Sequence, residues 1–418
     1  MRLRLGPLVV LLLAAPAAAQ SAKPSPAVPN LEAIAGMVEK GQLRSAEQQL
    51  RRILASGGSP VARDLLGVVL TRQGRLDEAE RQFRQALAMD PALLVPRQHL
   101  ARLYLDQSRE AAAVAELRRA ALQGPLDRDL ALRLASVERS AGHPGLAERQ
   151  LRSVAGRFQS TRALLELARL QSGEKDSAGA LESLREARRI APNSEEVLRA
   201  SAEASLAAHA PLPAIEALEP LTRMCPAVGQ YHYLQGIALM QAGDTAAAVE
   251  PLREAVRLEP RQLLALIALG TALDDRGQYD EARKCLLRSL DVDPENVEAV
   301  ARLAEAEEGL GEIGEAEAHA QRALARASTH PTANLVLGMV RMKQERYAEA
   351  RDALVKAATA GPASAKAHYQ LSLAYARLHD EASAEKHRAL YRKKVQEMEE
   401  RVKDVRDLTG FSLGGMQP

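Results

Sequence analysis

Ser412 lies in the stretch GFSLGG (Gly410 to Gly415), which fits the G-x-S-x-G pattern of a nucleophile elbow. That chemistry needs a strand before the serine, a helix after it, and an acid and a histidine further along the chain. A charged helical stretch precedes Ser412 instead, and three residues follow Gly415. Hydrolysis through Ser412 therefore stands only as a second alternative; the plain reading is a flexible tail in which Phe411 docks locally. The nine histidines contain no H-E-x-x-H pair. His319 and His330 read as solvated helix ends, and Cys225 and Cys285 lack metal-ligand spacing. Neither G-x-x-x-x-G-K nor G-x-G-x-x-G occurs. The sequence thus points to no catalytic residue, no metal site and no cofactor, and to a protein that is not an enzyme.

The elements that would have to position any site are set by a repeat. Alanines recur at Ala46, Ala79, Ala113, Ala147, Ala180, Ala214, Ala248, Ala282, Ala316, Ala350 and Ala384, at intervals of 34 residues apart from two of 33 (46 to 79 and 147 to 180). Twelve residues before the marker the side chain is small from the second copy on, as in Gly67, Ala101, Gly236, Gly270 and Gly338. Four residues after it comes a bulky apolar side chain in most copies, such as Phe83, Leu117, Leu252, Leu286 and Leu354. Such spacings fall on one helical face, so small and large residues on two helices would fit against each other. Prolines such as Pro91, Pro192, Pro260 and Pro294 stop the second helix, while Gly74, Gly142, Gly243, Gly277 and Gly311 mark the turn between helices. A fixed period of this length signals stacked copies of one helical hairpin.

LLGVVLTRQGRLDEAERQFRQALAMDP (Leu65 to Pro91) and LQGIALMQAGDTAAAVEPLREAVRLEP (Leu234 to Pro260) resemble the tetratricopeptide repeat. The resemblance covers roughly residues 31 to 398. It implies an all-α, right-handed superhelical solenoid of about eleven 34-residue helix-turn-helix repeats with a concave groove. Departures from the pattern are Ile34 at the small position of the first copy, a longer inter-helix turn SGEKDSAG in the copy around Ala180, Ala320 and Arg388 in place of the bulky residue, and the absence of tryptophan.

Composition fits that scheme. Of 418 residues 46% are hydrophobic and 26% charged, with 56 basic against 54 acidic side chains, so no basic footprint for nucleic acid exists. Aromatic residues, at 3%, are too scattered for a base-stacking platform. The N-terminus combines Arg2 and Arg4, an apolar stretch from Leu8 to Ala15, and Ala17, Ala18 and Ala19, the layout of a secretory signal peptide with cleavage after Ala19. An uncleaved anchor is the alternative, although the stretch is shorter than the ~20 residues that span a bilayer. The expected organisation is a signal peptide at 1–19, a linker at 20–30, the repeats at 31–398, and a capping-helix end with a flexible tail at 399–418. Cys225 and Cys285 stand nearly two repeats apart, too far for a disulfide in a stack where each repeat touches only its neighbours.

In the resembled family the first helices line the groove. Carried onto this chain, the ligand-facing positions are Tyr233, Ile237 and Met240, then Ile267 and Thr271, then Leu335, Met339 and Met342, then Tyr369 and Leu373. They form either an apolar groove for a peptide or packing between repeats. Arg302, Glu305 and Glu308 interrupt that run, and earlier copies are polar, with Gln98, His99, Arg102, Arg133, Ser136, Arg139, Arg199 and Glu203. The carboxylate clamp of cytosolic chaperone-binding relatives is absent: Asp64, Val68 and Gln98, or Tyr233 and Ile237, occupy the equivalent surface. Val395, Met398, Val402, Val405 and Leu408 give a final amphipathic helix that would cap the last repeat. The expected function is an exported, periplasmic or secreted, protein-binding scaffold without integral membrane span in the mature chain. The alternative is an accessory of envelope polysaccharide assembly or export, with a possible envelope complex.

Overall fold

The computed structural model describes residues 31–360 and 365–409. The proposed signal peptide, the linker and the Ser412 motif lie outside them. Among the described residues there are twenty-two helices and no strand, which pair into eleven hairpins, the number the alanine period predicts.

The chain divides into two compact units, Met1–Leu170 and Gln171–Pro418. The first holds α1 (Leu31–Glu39), α2 (Leu43–Ala55), α3 (Pro60–Arg72), α4 (Leu76–Met89), α5 (Leu94–Asp106), α6 (Glu110–Gln123), α7 (Arg128–Ser140), α8 (Pro144–Phe158) and most of α9 (Thr161–Gly173). The second continues with α10 (Ser177–Ile190), α11 (Glu195–Ala207), α12 (Pro211–Met224), α13 (Gly229–Ala242), α14 (Thr245–Leu258), α15 (Leu263–Asp275) and α16 (Tyr279–Val292). It ends with α17 (Val297–Leu310), α18 (Ile313–Arg326), α19 (Pro331–Lys343), α20 (Tyr347–Ala360), α21 (Ala365–Arg377) and α22 (Glu381–Thr409).

The small and bulky columns meet. A Cβ built on Gly67 would stand 2.5 Å from the Phe83 ring; on Gly236, 2.4 Å from Leu252; on Gly270, 2.7 Å from Leu286; on Gly338, 2.4 Å from Leu354. Each glycine lets the second helix of its hairpin sink the bulky side chain of its column against the backbone of the first. The eleven marker alanines are all fully or almost fully buried at the same interface.

Every hairpin turn carries one residue in the left-handed conformation five positions before its marker alanine: Gly41, Gly74, Ser108, Gly142, Lys175, His209, Gly243, Gly277, Gly311, Glu345 and His379. The following amide donates back across the turn, as Arg75 N to Leu70 O at 2.9 Å, Asp176 N to Gln171 O at 2.8 Å and Arg346 N to Arg341 O at 2.9 Å. Glycine and non-glycine turns therefore have the same shape. This corrects the expectation of a longer turn around Ala180. Residues 174–176 separate α9 from α10, the same three-residue gap as between α3 and α4. Asp176 caps α10 by accepting from Gly179 N at 2.9 Å, so much of SGEKDSAG is helix. The residue missing from that interval is lost between hairpins, where only 159–160 join α8 to α9, against 90–93 between α4 and α5.

In the second unit each first helix also packs on the next: α11 on α13, α13 on α15, α15 on α17, α17 on α19 and α19 on α21. First helices thus form its tighter, inner layer. Pro260 and Pro294 accept hydrogen bonds from Arg288 (3.1 Å) and Arg322 (2.6 Å) of the following repeats, which occupies carbonyls left open at the helix ends. Met398 and Val402 of α22, expected to cover the last repeat, lie instead against Gly243, where this part of the helix reaches back to α12 and α13.

Candidate partner-binding site

The ten expected groove positions do not share one environment. Ile267, Thr271, Leu335 and Met339 are buried between helices, and the Thr271 hydroxyl donates to Ile267 O at 2.9 Å. Met342 packs on the cluster formed by Leu335, Leu354 and Leu371. Tyr233, Ile237 and Met240 of α13 are half-buried against the largest apolar cluster of the second unit. Tyr369 and Leu373 of α21 are exposed, at 45% and 37%. The Tyr369 ring lies 5.4 Å from that of Tyr391 on α22.

The polar positions of the earlier copies are largely paired among themselves. His99 Nδ1 lies 2.8 Å from Asp64 Oδ1, and Arg102 lies 3.0 Å from Asp127. Arg133 pairs with Glu110, and Arg199 with Glu203 at 3.1 Å. Cys225 and Cys285 are free thiols, as their spacing predicts.

Arg302, Glu305 and Glu308, which interrupt the apolar run in sequence, belong to a charged cluster drawn from four first helices. Glu305 of α17 is 6% exposed and takes Lys366 of α21 at 2.8 Å and Arg302 at 3.1 Å. Lys366 reaches across from two hairpins later, a contact that only an inward-curving layer of first helices permits. Glu308 pairs with Lys343 of α19 at 2.6 Å. Glu298 lies 2.7 Å from Arg302 and 3.0 Å from His330 Nε2. His330 Nδ1 accepts from the Ala333 amide, so Nε2 carries the proton given to Glu298.

His330 and His319 are therefore not solvated helix ends. The first caps α19, and the second sits 2.7 Å from the nearly buried carboxylate of Glu307. Their spacing hid this because each partner lies on α17.

The electrostatics divide the cluster. The His330 hydrogen bond and Arg302 hold Glu298 down at about 2 in spite of its burial. Burial works against Glu305 as well, but Lys366 and Arg302 outweigh it and keep the carboxyl below its usual range. At Asp274, at the end of α15, the balance is reversed: burial, reinforced by Glu305, outweighs Lys366 and Arg302 and pushes it up to about 7. Asp274, Asp275, Glu298, Lys343 and Lys366 were not recognisable as site residues in the sequence, because no local motif links them.

The family profile described as "Tetratricopeptide repeat" matches residues 38–93, 132–195, 200–262, 267–331 and 335–393. Among solved structures, the chain is similar to a tetratricopeptide repeat protein from Parabacteroides merdae, with 16% identity over 59% of this chain and 98% of that one and a TM-score of 0.48. Yeast Tom70 gives 13% identity over 90% and 94%, with a TM-score of 0.40. YrrB, described as having an unusual peptide-binding site, gives 18% over 44% and 94%, with a TM-score of 0.38. A comparison with curated proteins gives no match.

Proposed function

Because the chain belongs to the tetratricopeptide-repeat family, we propose that it is an exported, non-enzymatic scaffold that holds a peptide or protein partner on the inner layer of its second unit. One observation carries this reading. Tyr233, Ile237 and Met240 are only half-buried, and Tyr369 and Leu373 are exposed, on first helices of a layer in which Ile267, Leu335 and Met339 are packed away. Aromatic and methionine side chains held in this state gain contact area and lose water when a partner covers them. Arg2, Arg4, the Leu8–Ala15 stretch and the alanines before Gln20 support export with cleavage after Ala19. No described helix is long and apolar enough to cross a membrane.

The test is crosslinking in the native cells, followed by affinity recovery of partners and N-terminal sequencing of the recovered chain. A partner recovered with wild type and lost with a Tyr233→Ala, Tyr369→Ala, Leu373→Ala variant of full helical content supports the site. Unchanged recovery with that variant refutes it. A mature chain that begins at Gln20 supports export, and one that keeps Met1 refutes cleavage.

A further inference from the structure

Asp274 and Asp275 close α15 at its C-terminal end, where the helix dipole already disfavours negative charge. Asp274 is 7% exposed, and its Oδ1 is buried with no hydrogen-bond partner. Buried carboxylate oxygens are almost always hydrogen-bonded, so an orphan of this kind calls for an explanation. Its neighbour Asp275 is exposed and has no ion-pair partner among the described residues. The nearby cations are engaged elsewhere: Arg302 between Glu298 and Glu305, Lys366 on Glu305, and Lys343 on Glu308. The surroundings thus hold more acid than base, and the unmatched part is concentrated at the end of α15.

We propose that Asp274 and Asp275 form an acidic seat on the inner layer that accepts a lysine or arginine side chain of the bound partner. This inference rests on the scaffold reading above and names the chemistry of the partner. A metal ion fits less well, because no group of three donor side chains among the described residues is arranged to hold one. The way in is Asp275, which is exposed, while Arg302 and Lys366, whose charges act on Asp274, are themselves 28% and 43% exposed. A long cationic side chain can bring its head to the exposed Asp275 carboxylate, next to the buried Asp274. The burial of Asp274 and the charge of Glu305, which acts on both aspartates, make the unliganded seat costly to charge, and an incoming cation lowers that cost.

A phage-displayed library of random linear peptides, selected on the full chain, provides the probe. Selected peptides are expected to share a lysine or arginine at a fixed position. Replacing an arginine there by citrulline, or a lysine by its acetylated form, should weaken binding to wild type by about tenfold or more, since close charge pairs couple strongly. In the Asp274→Asn, Asp275→Asn variant the same replacement should change affinity less than about twofold, the coupling having been removed. Asp275→Asn alone, at an exposed position, serves as the variant with no risk to the core. Peptides that bind without a fixed cation, or a replacement that costs the variant as much as wild type, overturn the acidic seat and leave the scaffold reading standing. A wild-type chain that enriches no peptide at all overturns both.

Discussion

Gly236 and Leu252 touch so closely that a Cβ added to the glycine would lie 2.4 Å from Leu252 Cγ. Alanine is the better helix former by about 1 kcal/mol, but here overpacking wins. Gly236→Ala should lower stability by about 1–3 kcal/mol in denaturant unfolding. Gly36→Ala, in α1 with open space around it, should be neutral or stabilising by up to about 1 kcal/mol. Equal effects at the two sites would contradict the interlock of columns.

Glu345 holds a left-handed turn conformation, φ 61°, that six of the eleven hairpins give to glycine. A residue with a Cβ costs roughly 1 kcal/mol there. Glu345→Gly should therefore raise the unfolding midpoint, with a gain of up to about 1 kcal/mol after the added chain entropy is counted. A loss of stability would show that the Glu345 side chain is itself needed.

Asp274 titrates near 7 in the folded chain against 3.8 without perturbation, so the native state binds its proton more tightly than the unfolded state does. Its contribution to stability is greatest in acid, falls as pH rises from about 4 to about 7, and is flat above that. Glu305 and Asp275 drive the shift together with burial, and Lys366 and Arg302 oppose it. Asp274→Asn should therefore exceed wild type in stability by about 1–3 kcal/mol at about pH 8 and match it more nearly at about pH 5. Thermal unfolding of both proteins across that range checks the sign.

Glu138 in the first unit is 1% exposed and is held by Arg118 at 2.5 Å and His143 at 2.9 Å. Removing one partner of a buried charge costs more than replacing the pair. Arg118→Met should destabilise by about 1–3 kcal/mol, discounted because the arginine is itself half-exposed. Adding Glu138→Met should recover most of that loss, as urea unfolding will measure.

The repeat was legible because each hairpin packs by the same contacts, so Ala282, Gly270 and Leu286 announce in sequence what they do in space. The turns were only partly legible. Gly74 and Gly277 signal a left-handed turn by residue type, whereas Lys175 and Glu345 adopt it because the packed helices on either side leave no other path. The charged cluster was not legible. Glu305 and Lys366 meet only through the curvature of the helix stack, and Arg302, Glu305 and Glu308 alone looked like a break in an apolar face. Burial of Asp274 is a property of its neighbours and leaves no mark at its own position.

The return of α22 to the α13–α14 turn, where Met398 and Val402 lie against Gly243, changes how the second unit comes apart. An open stack frays from its ends, each hairpin released after its outer neighbour. Here α22 packs on a hairpin in the middle of the array, so the hairpins between them are joined at both ends. Hydrogen exchange across α13 to α21 should then show a single concerted opening in place of a gradient, with release of α22 as the event that converts one regime into the other.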